Sequence, residues 1–207
     1  ASIPSGKSTG KYEAKELRDG GTRYKGLGVQ KAIRNIHEKI FPLLKGKSCK
    51  NVDQILRKNK RYGANATLAV SLACLRAASK GLLFEHIAKV TKNKPRIPRP
   101  FFNIINGGQH ADNKLAIQEF MIAPRLGSIE ANVQAGSEIY HALEIILRKK
   151  GYSTNVGDEG GFAPNIKKTR EALNLLMQAI KEAGYEDMVD LALDCAASEF
   201  YKGRKYH

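Results

Sequence analysis

Residues 155–165 carry two adjacent carboxylates, Asp158 and Glu159, between glycines. Glycine lets the backbone approach a ligand closely. Neighbouring carboxylates raise each other's pKa values, which suits a general acid. A calcium loop needs acidic residues at alternating positions and a downstream Glu, and this spacing is absent. The segment is therefore a candidate acid site, and an acidic turn without a ligand is the alternative.

A second candidate segment, residues 106–113, places His110 after a diglycine turn. Gln118 and Glu119 follow at the start of the next predicted strand. An imidazole and a carboxylate on adjacent elements are the groups that general acid–base chemistry uses. A surface histidine without a chemical role is the alternative.

A third carboxylate, Asp194, lies near the end of a strand predicted at 189–197. Every second residue of this strand, starting at Val189, is apolar and mostly large. The residues between them alternate between Asp and Ala. In a (β/α)₈ barrel the large residues can pack outward against helices while small residues face the crowded interior. This alternation predicts that Asp194 points inward, where a carboxylate is costly unless it is paired or binds a metal. An Asp that caps the next loop is the alternative.

The glycine- and serine-rich segment 1–10 contains Gly6-Lys7-Ser8-Thr9, which is half of a P-loop. The complete motif needs Gly at the position of Ala1, a preceding strand and a following helix. We predict a flexible loop that closes over a ligand. A nucleotide-binding P-loop is the alternative.

The remaining pattern predicts helices first and mixed elements afterwards. Apolar residues at helical spacing predict helices at 29–44, 63–79 and 82–90, and the Pro-rich basic stretch 91–100 predicts a linker. The predicted elements that follow are strands at 101–105, 119–123 and 189–197 and amphipathic helices at 129–150 and 169–183. This alternation favours an α/β unit with a parallel component. We expect a domain boundary between residues 94 and 95.

The composition of the chain limits the classes of function that it can have. The hydrophobic content of 42% and charged content of 27% are ordinary for a globular protein, and no apolar run approaches the length of a membrane span. The net charge is +15. Because the basic residues lack interleaved aromatic residues, we expect a solvated basic surface without a dedicated nucleic-acid site. The three widely spaced cysteines are expected to be free thiols in a reducing cytoplasm.

Over essentially its whole length the chain resembles the enolase family. The segments that carry the resemblance are 5–10, 12–14, 16–19, 62–66, 106–113, 118–121, 157–165 and 194–200. The most specific are Asn-Val-Gly-Asp-Glu-Gly-Gly-Phe-Ala-Pro-Asn and Asn-Gly-Gly-x-His-Ala-x-Asn. The resemblance implies an α/β fold with two parts. A small, mainly helical α+β N-terminal (capping) domain at 1–94, lacking its first strands, would precede the first part of an enolase-type (β/α)₈ barrel at 95–207.

The resemblance also implies a cytoplasmic, Mg²⁺-dependent hydro-lyase that dehydrates 2-phospho-D-glycerate to phosphoenolpyruvate in glycolysis. It implies that Glu159 is the acid that helps the C3 hydroxyl leave, that Glu119 is its partner carboxylate, and that His110 lies on a loop that closes over the substrate. His110, Gln118 and Glu119 would line the substrate site. The implied partners are a phosphorylated small molecule and a second copy of the chain, with no membrane and no dedicated nucleic acid.

Two metal ligands are implied in the same way. Asp194 would be the first of three carboxylates around the Mg²⁺ that binds the substrate carboxylate, and Ser8 would ligate a second Mg²⁺. Enolase-superfamily sites are known in general to combine one or two Mg²⁺ with a Lys or His base, so this part is not an inference from spacing.

Several features of the family have no counterpart in the sequence. The missing features are its first strands, the other two metal carboxylates, the lysine base and a substrate-binding histidine. We therefore expect a fragment, or one half of a split enzyme, that is probed by assaying phosphoenolpyruvate formation. The alternative is a non-catalytic, enolase-like binding module that uses its basic surface.

Overall fold

The helices of the first unit bury a small core against one another. The computed structural model describes residues 1–6 and 9–206 and divides them into two units, 1–6 with 12–96 and 9–11 with 97–206. The helices of the first unit are α1 (Gln30–Asn35), α2 (Phe41–Leu44), α3 (Val52–Arg57), α4 (Ala64–Ala78) and α5 (Leu83–Thr91). A π-helical turn, Ile36–Ile40, joins α1 to α2. The buried residues of this core are Ala32, Ile40, Val52, Leu56 and Ala66.

The helices predicted from apolar spacing in this unit are confirmed within one or two residues, whereas α3 had not been predicted. An extended segment is attached to the start of α4. Leu17 donates its backbone N–H to Asn65 Oδ1 (3.0 Å), and Asn65 Nδ2 donates to the Leu17 carbonyl (3.1 Å). The side-chain amide of Asn65 therefore forms hydrogen bonds with both backbone groups of Leu17, which does not lie in a strand.

Within the described residues, no single helix is long and apolar enough to cross a membrane. The two helices α4 and α5, which meet at 90°, reach the required length and apolar composition only when they are counted together.

Three strands of the second unit form an open sheet in the order β1–β2–β3. They are β1 (Phe102–Asn106), β2 (Glu119–Pro124) and β3 (Val189–Asp194), and both neighbouring pairs are antiparallel. In the described part of the chain, the expected parallel component is limited to one bridge between Ile105 and Phe162. The strands β1 and β2 pair antiparallel because residues 107–118 hold no helix long enough to return the chain along the sheet.

A bulge in β1 changes which side chains share a face. Asn103 pairs with Met121 and Asn106 pairs with Glu119, so one extra residue of β1 lies between these two pairs. Glu119 and Met121 are two residues apart and share a face of β2. The bulge therefore brings Asn103 and Asn106 to the face of Glu119, although they are three positions apart along the strand.

Two amphipathic helices cover the opposite face of the sheet. They are α6 (Ile129–Lys149), which begins where Ser128 Oγ accepts the Ala131 N–H (3.1 Å), and α7 (Thr169–Glu182). Phe120 and Ile122 of β2 enter the shared core with the apolar stripes of both helices. The fully buried members of those stripes include Ile139, Leu143, Leu147, Leu176, Ala179 and Ile180. The predicted helices at 129–150 and 169–183 are confirmed.

The strand β3 ends earlier than its sequence pattern predicts. Val189 and Leu191 pack on the core as expected, but Leu193 of the same parity is 40% exposed, so that part of the prediction was wrong. The chain turns after Asp194, because Asp194 Oδ1 accepts the Ala196 N–H (2.9 Å) and Ala196 has a φ of 43°. A short hairpin, β4 (Tyr201–Lys202) and β5 (Lys205–Tyr206), follows. The domain boundary at 94/95 stays a proposal.

Candidate functional site

The register of the sheet brings three polar side chains into one row. Asn106 pairs with Glu119, and Glu119 pairs with Asp194, so the end of β1, the start of β2 and the end of β3 meet at one edge. The backbone of Gln118 extends this edge, because its N–H donates to the Asp194 carbonyl (3.1 Å). Residues that the sequence predicts to be catalytic or metal-binding therefore lie where the ends of three strands meet.

His110 is buried beside this row. It ends a 3₁₀ turn, Gly108–His110, that is tied back to β2 by a hydrogen bond from the Gly107 N–H to the Gln118 carbonyl (2.8 Å). Its Nδ1 lies 3.5 Å from Glu119 Oε1 and 3.3 Å from Glu159 Oε2. The side chain of His110 is 1% exposed, whereas that of Glu159 is 40% exposed. One imidazole nitrogen thus faces two carboxylates, and Glu159 is the more accessible of the two from outside.

The loop that carries Glu159 forms contacts with both β1 and α6. The Gly157 N–H donates to the Gly161 carbonyl (2.8 Å) and closes the loop. The Tyr140 hydroxyl donates to the Gly160 carbonyl (3.0 Å), and its ring stacks on Phe162 with 4.2 Å between centroids. These contacts hold the carboxylate-bearing turn against the body of the unit.

Glycine is required at 161 because β1 lies directly beneath it. A Cβ at this position would overlap the side-chain oxygen of Asn106 and come within 3.2 Å of Asn103 Oδ1. The same asparagine, Asn103, donates through Nδ2 to Glu159 Oε2 (3.4 Å). The bulge of β1 therefore supports the loop and also supplies a hydrogen bond to the carboxylate.

Burial and neighbouring charge raise the pKa of Glu119 from its ordinary 4.5 to about 7. Removal from water is the main cause, and a hydrogen bond with Glu159 and the negative charges of Glu159 and Asp194 add to it. Near neutral pH a large fraction of this carboxyl group therefore carries a proton. Two carboxyl groups that share a proton next to an imidazole form an acid–base unit.

Two groups of donor atoms in the site could hold a metal ion. One consists of Asp194 and the neighbouring Gln118, whose Nε2 donates to Asp194 Oδ2 (3.3 Å). The buried Gln118 Oε1 has no hydrogen-bond partner among the described residues. Carboxylate and amide oxygens are the ligands that Mg²⁺ takes, so these donors fit that ion. The other group is His110, Glu119 and Glu159, whose potential ligand atoms all lie within 4.8 Å of one another.

Five of the six residues predicted for the site lie together. They are His110, Gln118, Glu119, Glu159 and Asp194. The sixth, Ser8, lies outside the described residues. Their chemical roles stay predictions.

Sequence reasoning missed Asn103 and Tyr140. Asn103 interrupts the otherwise apolar run Phe-Phe-Asn-Ile-Ile, and a polar residue inside a buried strand was a usable signal. Tyr140 gave no such signal, because its spacing in α6 is that of an ordinary core residue.

Two comparisons with family models cover most of the chain. Residues 1–87 match the model described as "Enolase, N-terminal domain", and residues 94–207 match the model described as "Enolase, C-terminal TIM barrel domain".

Proposed function

The chain belongs to the enolase family, and from this membership we propose that its site serves the Mg²⁺-dependent dehydration of 2-phospho-D-glycerate to phosphoenolpyruvate. The observation that carries the proposal is the contact of His110 Nδ1 with Glu119 (3.5 Å) and Glu159 (3.3 Å). This acid–base unit lies beside the row that ends in Asp194. A dehydration requires such an acid, because hydroxide is a poor leaving group until it is protonated.

Glu159 is the proposed acid. Its side chain is the exposed member of the unit, so a substrate hydroxyl can approach it from outside. As the carbon–oxygen bond breaks, the departing hydroxide takes the proton that Glu159 shares with Glu119 and leaves as water. Glu119, whose pKa is raised to about 7, returns a proton to the pair from solvent. His110 holds both carboxylates in place through its Nδ1.

Asp194 and Ser8 are the proposed Mg²⁺ ligands, and Gln118 and His110 are proposed to line the substrate site. A bound Mg²⁺ would stabilise the negative charge that builds up on the substrate carboxylate when the α-proton is removed. Gln118 holds Asp194 Oδ2 through its amide (3.3 Å), which orients that carboxylate. The base that removes the α-proton is not assigned among the described residues.

Family membership alone supports the remaining parts of the proposal. They are a phosphorylated small-molecule substrate, a homodimer and a cytoplasmic location.

Isothermal titration of the purified chain with 2-phosphoglycerate tests the binding part of this proposal. We expect binding that requires Mg²⁺ and is weakened at least about tenfold in Asp194→Asn, because a ligating carboxylate is lost. Glu144→Gln, at a partly buried position of α6 whose carboxylate pairs with Arg148, is the control and should bind like the native chain. Salt-sensitive binding that does not depend on Mg²⁺ would contradict the proposal and would indicate a basic surface without catalytic function.

Turnover is tested separately by following phosphoenolpyruvate formation in excess Mg²⁺. Glu159→Gln should retain substrate binding and lose any turnover that the native chain shows, since only the acid is removed. If Glu159→Gln forms product at the native rate, Glu159 is not the acid.

A further inference from the structure

We propose that His110, Glu119 and Glu159 form a Zn²⁺ site that is separate from the Mg²⁺ ligands. The three residues offer one imidazole nitrogen and two carboxylate oxygens. This inference goes beyond the proposed function, because it concerns a different ion held by a different set of atoms. It rests on the spacing, chemistry and anchoring of the three donors.

The spacing of the donors matches the coordination geometry of zinc. Zn²⁺ binds nitrogen and oxygen ligands at about 2.0–2.2 Å in a tetrahedral arrangement. The edges of such a tetrahedron, which separate neighbouring donor atoms, are about 3.4 Å long. His110 Nδ1 lies 3.5 Å from Glu119 Oε1 and 3.3 Å from Glu159 Oε2. The ligand atoms of Glu119 and Glu159 lie within 4.8 Å of each other, so an ion can contact all three donors once these two carboxylates adjust to the tetrahedral edge.

The chemistry of the donors also distinguishes Zn²⁺ from Mg²⁺. Imidazole nitrogen suits zinc and other transition metals, whereas Mg²⁺ takes oxygen ligands in a near-ideal octahedron and retains water. Both short distances, to Glu119 and to Glu159, start from the same atom, His110 Nδ1. A site built around this nitrogen is consequently selective against Mg²⁺, even where Mg²⁺ is in large excess.

The three donors are supplied by segments that hydrogen bonds fix in place. Glu119 lies in β2, His110 ends a turn tied to Gln118, and the Glu159 loop is held by Tyr140 and Asn103. Because the ligands are preorganised, little conformational entropy is lost when the ion binds. Glu159 is 40% exposed, so the ion has a path from solvent and a fourth position for water.

Zinc binding and acid function exclude each other at this site. A carboxylate oxygen that coordinates Zn²⁺ cannot carry a proton. A chain that holds Zn²⁺ here therefore cannot use Glu119 and Glu159 as acids.

The experiment is a titration of the whole purified chain with Zn²⁺ and with Co²⁺ in excess Mg²⁺. We expect one Zn²⁺ per chain that Mg²⁺ does not displace, and the intense visible absorption of tetrahedral Co²⁺. Glu159→Gln should weaken Zn²⁺ binding at least about tenfold. This variant is expected to fold normally, because the side chain is half-exposed and keeps its shape.

Two further variants serve as controls. Glu144→Gln changes a partly buried carboxylate that lies 3.5 Å from the exposed His141 Nδ1 and outside the proposed site, and it should bind Zn²⁺ like the native chain. Asp194→Asn should also retain the Zn²⁺ while it loses Mg²⁺-dependent substrate binding, which separates this inference from the proposed function.

Three outcomes would overturn the proposal. They are native-like Zn²⁺ affinity in Glu159→Gln, the weak absorption of octahedral Co²⁺, and the thiolate absorption that would place the metal on one of the cysteines.

Discussion

His110 is a buried side chain at the centre of a carboxyl cluster. Its Nδ1 lies within 3.5 Å of two carboxyl groups, those of Glu119 and Glu159. Glu119 is the more buried of these carboxylates, and its pKa is correspondingly raised. The carboxyl group with the raised pKa and the more exposed carboxyl group are thus different members of one cluster.

The raised pKa of Glu119 predicts a specific dependence of stability on pH. Between the ordinary pKa of 4.5 and the folded-state pKa of about 7, the native chain binds more protons than the unfolded chain does. The free energy of unfolding should therefore fall as the pH rises through this range. Urea denaturation of the native chain and of Glu119→Gln measures the effect, and the decline should be shallower in the variant.

A direct measurement accompanies this prediction. Carboxyl NMR titration should place the midpoint of Glu119 near neutral pH and should move it down in Glu159→Gln, which removes one of the neighbouring negative charges. An unchanged midpoint in that variant would mean that Glu159 does not contribute to the shift.

At the level of single residues, the sequence predicts the identity of the site better than its environment. The resemblance selects His110, Glu119, Glu159 and Asp194 together with Gln118, and the structure brings these five together. Their burial could not be predicted, because it depends on contacts between segments far apart in the chain. Asn103 contacts Glu159 across 56 residues, and no local pattern encodes that distance.

The glycine-rich loop shows how an element positions a carboxylate. Its closing hydrogen bond, the Tyr140 contact and the asparagines of β1 surround Glu159 on several sides. The resemblance predicts this loop as part of the site, and the structure places its Glu159 3.3 Å from His110 Nδ1. The β1 bulge that supports the loop was not predicted, since bulges depend on pairing between strands.

Substitution of Gly161 by alanine tests this support. A Cβ at 161 overlaps Asn106 and approaches Asn103, so the loop must shift, and we expect the free energy of unfolding to fall by about 1–3 kcal/mol. The control is Gly127→Ala, because a Cβ at 127 has no atom within 4 Å. Chemical denaturation measures both variants. A Gly161→Ala chain as stable as the control would show that the loop is not held against β1.

On the scale of the whole molecule, the described residues form two hydrophobic cores. The buried members of one lie between residues 32 and 66, and those of the other lie between residues 104 and 189. The apolar spacing of the sequence predicted the helices of both except α3, because each predicted helix buries one stripe. The directions of the strands could be determined only from the structure, since apolar spacing alone does not distinguish parallel from antiparallel pairing.

Truncation of one core residue tests whether the cores respond separately. Leu56→Ala removes buried apolar atoms from the first core and should cost about 2–5 kcal/mol. Hydrogen exchange should then accelerate in α1 to α4 while the amides of β2 and α6 keep their protection. The control is Leu68→Ala, whose side chain is 49% exposed and should change little. Equal acceleration in both units would contradict the prediction.

The extra residue between Asn103 and Asn106 makes the length of β1 as important as its composition. Because side chains alternate in direction along a strand, removal of residue 104 would leave the two asparagines two positions apart and still on one face. Insertion of one more residue next to the bulge would instead turn one of them away from Glu119. Insertions here should therefore be tolerated less well than point mutations, although the segment is only five residues long.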